Sequence, residues 1–154
     1  MTLRSRPRPI SFILSYMSDK LLTVGNTVAA LDELYIWLNN PTAIEYIRNS
    51  LKRVRKKESA MMLASQNLED FDQEGVREMT KPLFSIPPHQ FLFNAGSIDK
   101  KSYMDMLQLE DAEYNLIKFP QRGVCLYKCG NERYLLEVHA PPYKEKLFGT
   151  AGGR

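Results

Sequence analysis

Thr27-Val28-Ala29-Ala30-Leu31-Asp32-Glu33 is a short apolar run that ends abruptly in two adjacent carboxylates. The run suits a buried strand, and folding alone gives no reason to close it with Asp32-Glu33. Phosphoryl-transfer sites supply one: an Asp there helps hold Mg²⁺ and a Glu orients or activates the attacking water. The plainer alternative is a helix cap behind a buried strand. Nowhere does the chain carry G-x-x-x-x-G-K-[ST], the loop that cradles nucleotide phosphates. The sequence reads as half of a nucleotide-hydrolysing machine.

Working outward, Gly25-Asn26 turns the chain into the strand at 27–31. Before it, residues 11–22 carry Phe12, Ile13, Tyr16, Met17, Leu21 and Leu22 at spacings that suit an amphipathic helix. Beyond it, Asn40-Pro41 opens a helix, with Asn as cap and Pro at the first helical position. Ile44, Ile47, Leu51 and Val54 form its core stripe, and it runs to about Lys57. Its last turns hold Lys52, Arg53, Arg55, Lys56 and Lys57, which complement the negative helix end. A second apolar strand, Ala60–Ala64, leads into Ser65-Gln66-Asn67. Strand, helix and strand of these lengths predict a right-handed βαβ crossover with parallel strands.

The remainder predicts a polar helical stretch at 74–80 that gives way to Pro82, Pro87 and Pro88, then a third strand at 90–94. Helices follow at 98–107 and 110–118, with Tyr103, Met104, Leu107, Tyr114, Leu116 and Ile117 inward. Val124–Cys129 and Arg133–Val138 flank Gly130-Asn131 as a β-hairpin. Pro141-Pro142 opens a last helical stretch. Residues 1–10 read as a disordered basic arm, 11–148 as the folded part and 149–154 as a flexible tail.

With 154 residues, 44% of them apolar and 25% charged, the chain is most simply one globular domain. A net charge of +3 permits nucleic-acid contact without arguing for it. Cys125 and Cys129 would share a strand face roughly 13 Å apart, too far for a disulfide. No His or third Cys stands at zinc spacing, so both are read as reduced thiols. Arg4, Arg6 and Arg8 before Ile10–Leu14 imitate a signal peptide, but Asp19-Lys20 interrupts the short apolar run and no cleavage site follows. No stretch approaches the roughly 18 apolar residues of a membrane span. The chain is expected to be cytoplasmic.

From about Phe12 onward the chain resembles the C-terminal part of the conjugative-transfer (type IV secretion) ATPases, P-loop NTPases related to hexameric DNA translocases. Val28-Ala29-Ala30-Leu31-Asp32-Glu33 looks like their Walker B strand. Leu51-Lys52-Arg53-Val54-Arg55-Lys56-Lys57 is similar to the family's basic helix end. Ala64-Ser65-Gln66-Asn67-Leu68-Glu69-Asp70-Phe71 resembles its strand-end Gln segment, and the hairpin with Gly123-Val124 its C-terminal strands. The resemblance spans about the second half of a family ATPase domain. It implies an α/β fold: a partial P-loop NTPase (RecA-like) parallel sheet with flanking helices and a C-terminal β-hairpin.

Carried over residue by residue, the resemblance makes Asp32 the Mg²⁺ ligand, through water, and Glu33 the general base. Gln66 becomes the sensor of the γ-phosphate. Parallel strands put both C-terminal ends on one edge, so Asp32, Glu33 and Gln66 should share a crevice. An ordinary strand-end polar residue is the alternative for Gln66. The basic cluster, with Arg55 the candidate for nucleotide contact, has three readings: a solvated helix end, phosphate contact in the same or a neighbouring subunit, or DNA contact. Mg-ATP is the implied cofactor, usable only with the missing P-loop segment. In family sheets the P-loop strand lies between strands equivalent to 60–64 and 90–94. Without it those strands should pair directly, be bridged by another chain, or leave the fold marginal.

Three functions follow as alternatives. The first is part of a conjugal transfer ATPase that couples hydrolysis to DNA or protein export, hexameric, with secretion-system partners and a peripheral place at the inner membrane face. The second is a non-catalytic module docking onto secretion proteins. The third is a nucleic-acid-binding fragment using Arg4, Arg6, Arg8 and the 52–57 cluster. His89, His139 and Arg122 are read as structural or surface residues, and Tyr35 and Trp37 as packing.

Overall fold

The computed structural model describes residues 9–66, 68–73 and 75–149. The greater part of the expected arm (1–8), the tail residues 150–154, Asn67 and Glu74 lie outside the described residues. The chain forms two compact units: residues up to 87 together with 96–108, and residues 88–95 together with those from 109 onward.

The first unit holds helices α1 (Pro9–Ser18), α2 (Pro41–Arg53), α3 (Arg77–Ser85) and α4 (Lys100–Leu107), and strands β1 (Val28–Leu31) and β2 (Ala60–Leu63). Asn40 caps α2 as expected, its side-chain oxygen accepting from the Ala43 amide at 3.2 Å, with Pro41 at the first position. The helix tightens into a 3₁₀ turn at Val54–Lys57, and the crossover brings β2 parallel to β1 in the register Val28↔Ala60 to Leu31↔Leu63. Entry to β1 passes close against that turn. Gly25 is buried at φ +80, where a Cβ would lie 2.7 Å from the Lys57 carbonyl, and the Asn26 amide donates to the same oxygen at 2.9 Å.

Burial alternates along both strands, so Ala29, Leu31, Met61 and Leu63 turn inward. One core cluster joins Leu34, Leu38, Ile44, Ile47, Phe71 and Leu83; a second joins Leu14, Met17, Leu21, Ala43 and Val54. Trp37 packs against both and Tyr35 against the first, as their spacing predicted. Burying each large aliphatic side chain contributes about 1.5–3 kcal/mol.

Two expectations need correction here. α1 begins at Pro9, inside the expected arm, and its buried stripe is Leu14, Met17 and then Leu21 of a π-helical continuation (Asp19–Val24). Phe12, Ile13 and Tyr16 face outward instead. The segment is apolar most of the way round, so periodicity alone does not say which stripe is buried. Pro82 lies within α3 and does not end the helical stretch, although it removes one backbone donor. Leu83 in the core and the edge-on contact of Phe84 with Phe71, 5.3 Å between centroids, carry the helix past it to Ser85. Among the described residues the second and third strands fall in separate sheets, so direct pairing is not the one of the three expected outcomes that the structure takes.

That third strand, β3 (His89–Leu92), belongs to the second unit with α5 (Asp111–Ile117), β4 (Val124–Cys129), β5 (Glu132–Glu137) and α6 (Pro142–Phe148). Its backbone partner is β4, antiparallel, in a sheet of order β3-β4-β5. The hairpin β4–β5 turns at Gly130-Asn131 as expected. Ile117 of α5 is buried and Glu113 pairs with Arg133 at 2.9 Å, while Leu116 is exposed, against expectation. A helix this short turns only one narrow stripe inward, and Ile117 takes it. Cys125 and Cys129 are free thiols. No helix among the described residues is long and apolar enough to cross a membrane.

Candidate active site

The chemistry gathers where β1 and β2 end. The Ala64 amide donates to the Leu31 carbonyl at 2.9 Å, and the Leu34 amide donates to the Ala64 carbonyl at 2.9 Å. One residue after β2 is thereby bonded to the residues on both sides of Asp32-Glu33, and the pair is looped out of the ladder as a bulge. Glu33 adopts the left-handed conformation, φ 52 and ψ 51. For a residue with a Cβ this costs roughly 1–2 kcal/mol, and such strain gathers at functional sites. Asp32 Oδ1 accepts from the Glu33 amide at 2.8 Å, bracing the bulge from within.

The bulge aims Glu33 toward β2. Gln66 Nε2 donates to Glu33 Oε1 at 2.6 Å, so the two expected catalytic residues meet. The second carboxylate oxygen, Glu33 Oε2, is buried with no hydrogen-bond partner among the described residues. Ser65 Oγ is in the same condition. Ser65 carries a polar group that sequence reasoning passed over. Its parity with Met61 and Leu63 was the available signal, since a strand continued to residue 65 turns that side chain inward.

Neither carboxylate caps a helix. Glu33 stands at the N-cap position of the 3₁₀ turn Leu34–Trp37 and makes no side-chain cap bond there. Asp32 is exposed at the strand edge beside Glu33. Carboxylate oxygens of this kind suit Mg²⁺, which is held through one or two carboxylates together with waters and substrate phosphates. The described residues hold no cluster of three or more His, Cys, Asp or Glu able to bind a metal unaided. Asp32 and the unpartnered Glu33 Oε2 fit such a shared ion.

Arg55 is not brought to this site. It lies in the turn that precedes β2, at the strands' N-terminal ends, with Lys52, Arg53, Lys56 and Lys57, all exposed. The four residues of β2 separate that end from Gln66 by roughly 10 Å or more. A βαβ crossover returns its helix to the edge opposite the strand C-termini, so Arg55 is an exposed helix end away from Asp32, Glu33 and Gln66. His89 Nδ1 lies 2.8 Å from the Tyr127 hydroxyl across β3 and β4, and His139 pairs with Glu137 at 3.2 Å.

No protein-family model matches the chain. Over 73 residues it is 33% identical to a probable conjugal transfer protein TrbE (the second of its parts) of Sinorhizobium fredii (strain NBRC 101917 / NGR234), a match covering 47% of this chain and 11% of that protein. It is 32% identical over 73 residues to the conjugal transfer protein TrbE of Rhizobium radiobacter, covering 47% and 9%. The structure is similar to that of VirB4 of Thermoanaerobacter pseudethanolicus, with a TM-score of 0.76 and 27% identity, over 89% of this chain and 37% of that one. The matches span about a tenth of the two curated relatives. The resemblance to part of a conjugative-transfer ATPase, read above from the Asp32-Glu33 and Gln66 segments, is borne out.

Proposed function

We propose that the chain supplies the water-activating half of an ATP-hydrolysis site in a P-loop (RecA-like) conjugative-transfer ATPase. The observation that carries this reading is the 2.6 Å bond from Gln66 to Glu33, which joins an acid and an amide from the C-terminal ends of two parallel strands. Similarity to TrbE and VirB4 supports the same system.

Glu33 is the general base: its strained backbone holds the carboxylate at the strand edge, where it accepts a proton from the attacking water. Gln66 orients that carboxylate and releases it toward the γ-phosphate. Asp32, with Glu33 beside it, would hold Mg²⁺ through water, and the ion would supply neutralisation of phosphate charge. Arg55 is kept for a neighbouring subunit of a hexamer. Without a phosphate loop the β- and γ-phosphates have no cradle, so the chain alone is inactive. Complete, the machine would drive export of DNA or protein from the inner face of the membrane with secretion-system partners.

A chimera tests this: VirB4 with its matched region replaced by this chain, assayed for ATP turnover. Hydrolysis is expected, with Glu33→Gln lowering kcat by about 10²–10⁴-fold while Mg-ATP still binds. Full turnover in that variant would overturn the assignment.

A further inference from the structure

We infer that β5 is a dimerisation edge, to which a second copy of this chain adds its own β5, antiparallel, about a two-fold axis through Leu135. Nothing in this pairing depends on the hydrolytic reading above.

β5 is the last strand in the order β3-β4-β5. The Val138 amide donates to the Gly123 carbonyl at 2.9 Å, so these two residues form a hydrogen-bonded pair of the hairpin. Such pairs alternate along an antiparallel ladder, and Leu136, Tyr134 and Glu132 therefore turn their backbone groups to β4 as well. Arg133, Leu135 and Glu137 turn theirs away. Among the described residues no group hydrogen-bonds them on that side. Residues 142–147 of α6 are all exposed, so that helix is not packed over the edge.

Charges on an edge ordinarily repel a further strand. On β5 they select one. With the axis through Leu135, Arg133 of each copy lies opposite Glu137 of the other. Leu135, 52% exposed although its ladder neighbour Leu126 is buried, meets its own counterpart. Tyr134 meets Leu136 on the other face of the sheet. All three residues with unused backbone groups then fall in hydrogen-bonded pairs. Opposite charges and aromatic–aliphatic pairs directly across a ladder stabilise it, whereas like charges destabilise it.

Other registers lose this match. Centring the axis on Arg133 or on Glu137 opposes like charges, and centring it on Tyr134 or Leu136 sets a charge opposite Leu135. The charged groups have capacity for the contact. Arg133 engages Glu113 through Nε and the Gly130 and Glu132 carbonyls through Nη1, which leaves Nη2. Glu137 is exposed, with Oε1 on His139 at 3.2 Å and Oε2 left over. The same patch serves both copies, so the pair closes on itself. The rival surface lacks any such selection. Val28 is 71% exposed and Met62 62% exposed on the bare outward face of β1–β2, but those strands carry no charge to fix a register.

Sedimentation velocity of the full 154-residue chain over a concentration series tests the pairing, with a monomer–dimer equilibrium as the expected result. Leu135→Pro removes an amide that faces away from β4, so it should keep a cooperative melt and weaken the dimer about ten-fold or more. Glu137→Lys should weaken it about ten-fold, and Met62→Asp should leave it unchanged. Register is read by cross-linking in a Cys129→Ser background. The α-carbons of a hydrogen-bonded pair lie about 5.5 Å apart, within disulfide reach. Leu135→Cys should therefore link two copies under mild oxidation much faster than Tyr134→Cys. A chain that stays monomeric, a dimer that Leu135→Pro and Glu137→Lys leave intact, or equal linking at 134 and 135 would overturn the inference. So would association that Met62→Asp abolishes, which would assign it to β1–β2.

Discussion

Gln66 Nε2 reaches Glu33 Oε1 at 2.6 Å across 33 positions of sequence, and this is the bond that converts two strand ends into one site. It leaves one carboxylate oxygen of Glu33 engaged and the other, buried, without a partner among the described residues. An amide that donates to a carboxylate holds it in place without taking its charge. On the proposed function, this keeps Glu33 in waiting until a phosphate competes for the same amide.

Glu33 should be worth more to function than to folding. Its left-handed backbone costs roughly 1–2 kcal/mol, which glycine avoids at an entropic cost of about 0.5–1 kcal/mol. Glu33→Gly is therefore expected to raise stability by about 0.5–1 kcal/mol in urea unfolding of the isolated chain, and to abolish turnover in the chimera.

Gly25 and Gly75 separate conformational strain from steric collision. Both have φ near +80, but a Cβ at Gly25 meets the Lys57 carbonyl at 2.7 Å, while among the described residues nothing lies within 4 Å at Gly75. Alanine at either site carries the same backbone penalty, and only at Gly25 must the α2–β2 connection move as well. Gly25→Ala should cost at least about 1 kcal/mol more than Gly75→Ala, read as the difference in unfolding midpoints.

Ile47 and Ile13 provide the packing contrast. Ile47 is fully buried in the first cluster, whereas Ile13 projects from α1. Ile47→Ala is expected to cost about 2–5 kcal/mol; Ile13→Ala should fall within about 0.5 kcal/mol. A comparable loss at Ile13 in thermal melts would place that residue in the core and contradict the orientation of α1.

The thiols should differ in access and in pH response. Cys125 is buried and Cys129 half-buried, and burial pushes the Cys125 thiol above its ordinary value. A folded-state value above the unfolded one means that this stabilisation is whole below the unfolded value and is lost as pH rises through the folded one. Urea midpoints should therefore decline above about pH 8.5, less steeply in Cys125→Val. An aromatic disulfide reagent should label Cys129 in the native chain and Cys125 only on unfolding.

Much of the site was legible because its signals are local. An apolar run closed by Asp32-Glu33, a capped helix at Asn40-Pro41 and a second apolar run before Gln66 suffice to place both strand ends on one edge. The bulge is another matter. It depends on Ala64 bonding to both Leu31 and Leu34, a relation between distant backbones that no residue type announces. Arg55 was assigned from the family's chemistry, while the crossover sends it to the far edge of the sheet. Leu14 and Met17 could not be told from Ile13 and Tyr16 because both stripes are apolar. The antiparallel pairing of β3 was hidden for a different reason: its sequence fits either sheet, and proximity to β4 in the fold decides.

The bare pair β1–β2 also bears on how concentrated the chain can be kept. An uncharged strand edge beside the exposed Val28 and Met62 is a template for edge-to-edge aggregation. Chain held at high concentration should therefore clump sooner than a variant carrying a charge at Met62.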